Sequence, residues 1–340
     1  IGLQADDWTG WRGADRTGIS PETGLLKQWP SNGPKQVWWS KEAGLGYSSF
    51  SVVDGRLFTM SIAGTMTAWD AATGKVLWRK GYGSRFGKTH AYWGTSNSPI
   101  VDGDRVINHF GNDKYGALVA LDVETGEEVW TQGKDGTCYS SPFPAEIEGV
   151  RQVVVWNHRA LVGVESNTGR LLWEHPFPHK THNQNMPTPA FHDGQILVGG
   201  ENRGFHAVTP RLKDGKWTAT KSWSQKEIAL DMASAIVAEH FVYGLSHYGQ
   251  GRLFCLDPRS GSILWQGPPR TGRNVTFLSF PGHVLVLTDW GQIRILRATG
   301  QSHQPLATYR VAEGGTWAPP ALLPEGMLVK GLKKLTLWAL

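Results

Sequence analysis

The sequence predicts an all-β fold: a seven-bladed β-propeller of four-stranded antiparallel blades, closed by pairing of an N-terminal strand with the last blade. Three observations predict it. A unit of about 45 residues recurs along the chain, each unit holds short β-branched or aromatic runs bounded by Gly and Asp, and 340 residues contain 17 Trp, 42 Gly and 19 Pro against only 2 Cys. Such a composition suits many tight turns between aromatic-rich strands and excludes a disulfide scaffold. With 40% hydrophobic residues the chain can fill a core, which excludes wholesale disorder. No apolar run reaches the roughly 18 to 20 residues of a membrane span. The formal charge of +5 is spread along the chain, so no basic stripe of the kind that grips nucleic acid is present.

Taken in order, residues 1–5 read as the remnant of a secretory signal peptide cut after Ala5, which predicts export to the periplasm or the extracellular space. Residues 6–35 form an N-terminal extension, and residues 36–340 a single propeller domain. A small residue opens each unit, at Ser49, Ser98, Ser141, Thr188, Ser234, Thr276 and Pro319, with spacings of 49, 43, 47, 46, 42 and 43 residues. Each spacing accommodates four short strands with their turns. A second apolar run follows, as in Val153-Val154-Val155 and Val284-Leu285-Val286. A third alternates apolar and polar residues, as in Gly64 to Trp69, which places one face in a core.

The fourth element is the most specific. Ala68 to Trp78 and Ala120 to Trp130 share the pattern A-x-D-x-x-T-G-x-x-x-W, with looser copies from Gly163 to Trp173 and from Cys255 to Trp265. Asp accepts bonds from the turn's own N–H groups, and Gly takes the positive φ that closes the hairpin. The Trp then offers a flat surface to the neighbouring unit while its N–H reaches a carbonyl. Units four and six depart from the pattern: Ala207 to Pro210 leads into a longer turn before Trp217 and Trp223, and Ile295 to Gly300 leads to Tyr309. The last unit lacks a fourth strand, and Gln36-Val37-Trp38-Trp39 is the strand available to supply it and remove an exposed edge.

This repeat resembles the pyrroloquinoline-quinone-like propeller repeats of quinoprotein alcohol dehydrogenases and of the outer-membrane-protein assembly factor, over residues 36–340. The opening Trp8 to Gly13, with Arg16, Gly18 and Ser20, is similar to the start of mature envelope proteins of this type. A WD40 assignment fits less well, because Trp69-Asp70 is a lone such pair. The resemblance implies a fold and not an activity. Cys138 and Cys255 are far apart, so the adjacent cysteines common in the dehydrogenases are missing, as is a C-x-x-C-H haem site.

In propellers of this type the loop entering each first strand reaches the central channel. That expectation selects ligand-binding candidates at one mouth: Tyr47, Tyr92, Trp93, Asn97, Tyr139, His182, Asn183, Asn185, Asp231, Arg273, Asn274 and Trp317. Aromatics and amides around a concavity suit a polar planar or sugar-like ligand. Asp231 with Asn183, Asn185 and Asn274 could supply oxygens to Ca²⁺, whereas His175, His179 and His182 match no standard metal spacing. No nucleophile elbow, phosphate-cradling loop or H-E-x-x-H motif is present. The reading that follows is an exported, non-catalytic scaffold binding a protein or glycan partner. Its alternative is a dehydrogenase using pyrroloquinoline quinone (PQQ) with Ca²⁺, in which Asp231 is the catalytic base.

Overall fold

The structure, a computed structural model, describes residues 7–13, 16, 37–88, 91–180, 185–323, 326–331 and 334–338. Residues 1–5 and Gln36 of the predicted closing strand lie outside that set. The chain forms two compact units, residues 1–16, 29–185 and 210–219 in the first and 17–28, 186–209 and 220–340 in the second.

Among the described residues, six four-stranded antiparallel sheets and one three-stranded sheet follow one another along the sequence, each a meander of consecutive strands. In sheet one the strands are Ser51–Val53, Arg56–Met60, Thr65–Asp70 and Val76–Gly81. Sheet seven holds Ala321–Leu323, Gly326–Lys330 and Leu335–Trp338. The one helical segment among the described residues is the single turn Gly83–Phe86. Within each unit successive sheets pack face to face, so that Phe58, Met66 and Trp78 meet Val106, Phe110 and Leu121, and Tyr243, Cys255 and Trp265 meet Phe277, Val284 and Leu296. Both cysteines are buried, and burial pushes the Cys255 thiol up to about 12.

The small residue that opens a unit has a physical role. Its hydroxyl accepts the backbone N–H of the preceding opener: Ser49 donates to Ser98 Oγ at 2.9 Å, Ser98 to Ser141 Oγ at 2.9 Å, and Thr188 to Ser234 Oγ at 3.0 Å. First strands begin two residues beyond these openers, at Ser51, Ile100, Phe143, Ala190 and Ile236. The sixth unit differs, since Thr276 lies inside the strand Val275–Phe280.

The Asp-Thr-Gly turn closes as its residues dictate. Asp70 Oδ1 accepts from Thr73 N–H at 2.7 Å and from its hydroxyl at 2.6 Å, which holds the carboxyl below its ordinary range. The adjoining Trp clasps the next sheet's turn. Trp78, Trp130, Trp223 and Trp265 donate their indole N–H to Val123, Ser166, Pro258 and Thr299 carbonyls at 2.8–3.1 Å. A Cβ on Gly126, Gly169 or Gly261 would fall 2.5–2.7 Å from the clasping ring. Glycine is therefore required there twice over, by positive φ and by the ring stacked on it.

Trp38 makes the same clasp on the first sheet, donating to Ala71 O at 2.9 Å and covering Gly74. Val37–Trp39 carry no strand assignment among the described residues. Two clasps deviate. Trp173 donates to Gln152 of its own sheet at 2.7 Å, and in sheet six the register pairs Ile295 with Ala307 where Ala68 pairs with Trp78, so Ala307 and not Tyr309 holds the Trp position.

The N-terminal Trp8–Gly13 motif also finds a place. Trp8 pairs with Val52 through hydrogen bonds of 2.7 and 2.8 Å, and Val101 N–H donates to Thr9 O at 2.8 Å. Arg16 then stacks on Phe143 at 4.5 Å. The segment is a strap across the first strands of sheets one, two and three.

Candidate functional site

Around the first unit's strand entries, one turn holds two loops. Ile62 N–H donates to Leu45 O at 2.6 Å, and Ile62 O accepts from Thr95 N–H at 3.1 Å. Gly94 carries φ +98°, and a Cβ there would run into Ile62 at 2.3 Å. The loop can thus approach Ile62 only as glycine.

These loops display Tyr47, Tyr92 and Trp93, which are 73%, 67% and 69% exposed. Tyr92 and Trp93 meet edge to face, with ring centroids 4.9 Å apart at 87°. Both backbones are pinned by side chains from other loops: Tyr92 N–H donates to Asp113 Oδ1 at 3.2 Å, and Trp93 N–H donates to Tyr139 Oη at 2.8 Å. Burial pushes the Tyr139 phenol up to about 12, so it is a neutral hydroxyl at physiological pH. Large exposed rings on a tethered backbone form a preorganised contact platform.

Asn97 and Asn185, expected at the ligand surface, are buried. Asn97 Nδ2 donates to His109 O and Thr137 Oγ1, each at 3.0 Å, and its Oδ1 accepts from Asn108 at 3.3 Å. Asn185 Nδ2 donates to Asn157 O at 2.6 Å, while its carbonyl accepts from Tyr139 and Ser140 N–H at 3.3 and 3.2 Å. They hold the loops that present the platform. His182 and Asn183 lie outside the described residues.

Beneath the platform is a group the sequence did not single out. His158 is only 5% exposed, its Nε2 has no hydrogen-bond partner, and that nitrogen lies 3.8 Å from Asp113 Oδ1. Its ring packs on His179 at 4.3 Å. Burial, then His179, lowers its pKa. The neighbouring His109 bonds Asp135 O through Nε2 at 3.1 Å and is pushed down to about 4 by burial. Asp113 occupies a hairpin tip far from both Tyr92 and His158 in sequence, so no local pattern announces the cluster.

In the second unit Arg273 and Asn274 meet at Asp289, which sequence reasoning also missed. Asp289 Oδ1 accepts from Arg273 N–H at 3.2 Å, and its carbonyl accepts from Gly315 N–H at 2.9 Å, next to Thr316 and the exposed Trp317. Asn274 is buried, and its Oδ1 has no hydrogen-bond partner. Asp231 is set among different neighbours: burial, then Glu201, raises its carboxyl, while His247 opposes.

A hard cation takes six to eight oxygens. Among the described residues no three His, Cys, Asp or Glu side chains group so as to hold a metal. The orphaned Asn274 Oδ1 is a single oxygen and does not complete the set that a quinone with its Ca²⁺ requires, so no chemistry is derived through that pair. A cavity of about 350 Å³ between the turns of sheets one and two is lined by Asp54, Arg56, Asp104, Asp122 and Glu124, and includes none of the candidate residues.

Comparison with known proteins bears on this arrangement. The chain is 25% identical over 262 residues to the polyvinylalcohol dehydrogenase of Sphingopyxis sp., covering 69% of this chain and 38% of that protein. It is likewise 25% identical over 251 residues to the outer membrane protein assembly factor BamB of Salmonella typhimurium, covering 67% and 59%. It therefore spans less than two thirds of the length of either relative. Among solved structures it resembles BamB from Moraxella catarrhalis, with TM-score 0.62, 15% identity and coverage of 85% and 81%. It also resembles the quinohemoprotein alcohol dehydrogenase from Comamonas testosteroni, with TM-score 0.59, 14% identity and coverage of 84% and 62%. At those identities the structural likeness speaks for the fold alone. Residues 27–267 match the family described as Outer membrane protein assembly factor BamB, and the chain belongs to that family.

Proposed function

We infer that the chain is an exported, non-catalytic propeller that docks a partner in the cell envelope through Tyr47, Tyr92, Trp93 and Tyr139. The observation that carries this is the edge-to-face Tyr92–Trp93 pair, two thirds exposed on a backbone held by Asp113 and Tyr139. Tyr and Trp on an ordered loop are the composition of interface anchors. A protein partner suits the platform better than a glycan. Sugar sites need outward-facing amides and carboxylates, and here Asn97, Asn185 and Asp113 are engaged inward. The names of the assembly-factor relatives support the same reading.

The reading includes seven blades over residues 36–340, with residues 36–39 completing the last. The Trp38 clasp on Gly74 supports that closure. Within the second unit Arg273, Asn274 and Trp317 stand as proposed ligand-binding residues in their own right, as do His182 and Asn183 in the first.

The test is a photo-crosslinking residue at position 93 in cells. Capture of one defined protein, lost in Tyr92→Ala, is expected; capture of glycan alone, or none, overturns the reading. The dehydrogenase alternative is favoured by one observation, the raised pKa of Asp231, since perturbed carboxyls mark acid–base sites. Titration with PQQ and Ca²⁺ under a dye-reduction assay decides it: turnover lost in Asp231→Asn would replace the docking reading.

A further inference from the structure

We propose that His158 is a proton-operated latch on the Tyr92–Trp93 platform, releasing the platform's tether when it is protonated. The inference deepens the docking reading and rests on it, because it concerns the regulation of that same site. Asp113 stands between two claimants. Its Oδ1 accepts the Tyr92 N–H at 3.2 Å and lies 3.8 Å from the buried, unpartnered His158 Nε2. A neutral imidazole offers that carboxylate at most an ordinary hydrogen bond, so the Tyr92 tether persists. A protonated one offers a charge-assisted bond of about twice the strength.

The geometry decides which partner moves. The His158 backbone is fixed on both sides, its N–H donating to Gly136 O at 3.2 Å and its carbonyl accepting from His179 N–H at 2.9 Å. Asp113 is on a hairpin tip between Arg105–Gly111 and Gly116–Asp122. Protonation therefore draws the carboxylate toward the ring and away from Tyr92 N–H. The groups facing His158 are His179, Asp113, Asp135 and Arg159, with His109 beyond. Asp135 is already committed, accepting Arg159 and Gly136 N–H at 2.9 Å each and pairing with Arg159 Nε at 3.2 Å. Asp113 is thus the carboxylate able to respond. The His179 ring packs at 4.3 Å and opposes a charge on His158.

The experiment uses the partner-free chain labelled with 5-fluorotryptophan, with Trp93 assigned through Trp93→Phe, followed by fluorine NMR from pH 7.5 to 4.5. The Trp93 resonance is expected to titrate with a single midpoint shared by the His158 ring protons. Exchange of the Tyr92 amide should rise at least tenfold above its intrinsic pH trend. In His158→Phe both responses should vanish while the pH 7.5 spectrum is kept, and Asp113→Asn should abolish the titration independently. A flat Trp93 signal in the unaltered chain, separate midpoints for Trp93 and His158, or an unchanged titration in His158→Phe would overturn the latch. Because no partner is present, its failure leaves the docking reading standing, and failure to capture a partner leaves these signals unaffected.

Discussion

Trp130 and Trp93 are the same residue type on the same unit, used in opposite ways. Trp130 is buried, covers Gly169 and donates its indole N–H to Ser166 O at 2.9 Å. Trp93 has its backbone N–H tied to Tyr139 and its ring in solvent. In the clasp the side chain works inward and the backbone is ordinary strand. On the platform the backbone is restrained so that the side chain can work outward. The difference separates the aromatics that hold the sheets together from those available to a partner.

The largest expected effect breaks the clasp. Trp130→Ala removes a buried indole from between two sheets and should cost about 3–5 kcal/mol, read as a shift in urea midpoint at constant m-value. A loss below about 1 kcal/mol would show that Trp130 is no more structural than Trp93, and the contrast would fail.

Next in size is a pH effect beneath the platform. His109 falls from an ordinary 6.5 to about 4 on folding because burial penalises its charged form. The unfolded chain therefore binds more protons between those values. Stability from keeping this ring neutral is complete above pH 6.5 and is lost as pH falls toward 4, by roughly 3 kcal/mol. Urea unfolding at pH 7 and pH 4.5 of the native chain and of His109→Gln should show a steeper acid loss in the native chain. Equal slopes would remove His109 from the account.

The clasps were legible because their chemistry is local. Asp70, Thr73 and Gly74 lie within five residues, and the pattern states both the turn and the φ it needs. Even so, sheet six puts Ala307 where Tyr309 was expected, since its turn closes from Arg297 N–H to Gln304 O where the first sheet's closes from Asp70 N–H to Lys75 O. The platform was half legible. Tyr47, Tyr92, Trp93 and Tyr139 stood out as aromatics before strand entries, yet nothing nearby in the chain showed Asp113 holding Tyr92 or Tyr139 holding Trp93. That Asn97 and Asn185 are buried was not legible, because amides that face a ligand and amides that satisfy buried carbonyls look alike in sequence. The strap through Trp8 was visible as a motif, but its pairing with Val52 depends on a distant strand edge.

A smaller effect sharpens the contrast within the clasps. Trp173 keeps its Trp but donates to the buried Gln152, so Trp173→Phe should orphan a side-chain oxygen at a cost of about 1–3 kcal/mol. Replacing that acceptor as well, in Trp173→Phe with Gln152→Met, should recover about 1 kcal/mol, since apolar groups of similar shape need no partner. Simple addition of the two single effects would mean that the bond contributes no coupling.

The smallest effect on stability falls on the other side of the comparison, and there it separates folding from function. Trp93→Ala removes an exposed ring and leaves the bond from its backbone N–H to Tyr139 in place, so unfolding should change by no more than about 0.5 kcal/mol. Partner capture should nonetheless collapse, as truncation of a central aromatic anchor commonly costs 2 kcal/mol or more of binding, about thirtyfold in affinity. Tyr139→Phe is the companion variant: it keeps the ring but takes away the oxygen that accepts the Trp93 N–H, so the platform loses order while its composition stays the same. If Tyr139→Phe weakens capture with Trp93 intact, the tether matters as well as the ring, and affinity depends on how the backbone is held.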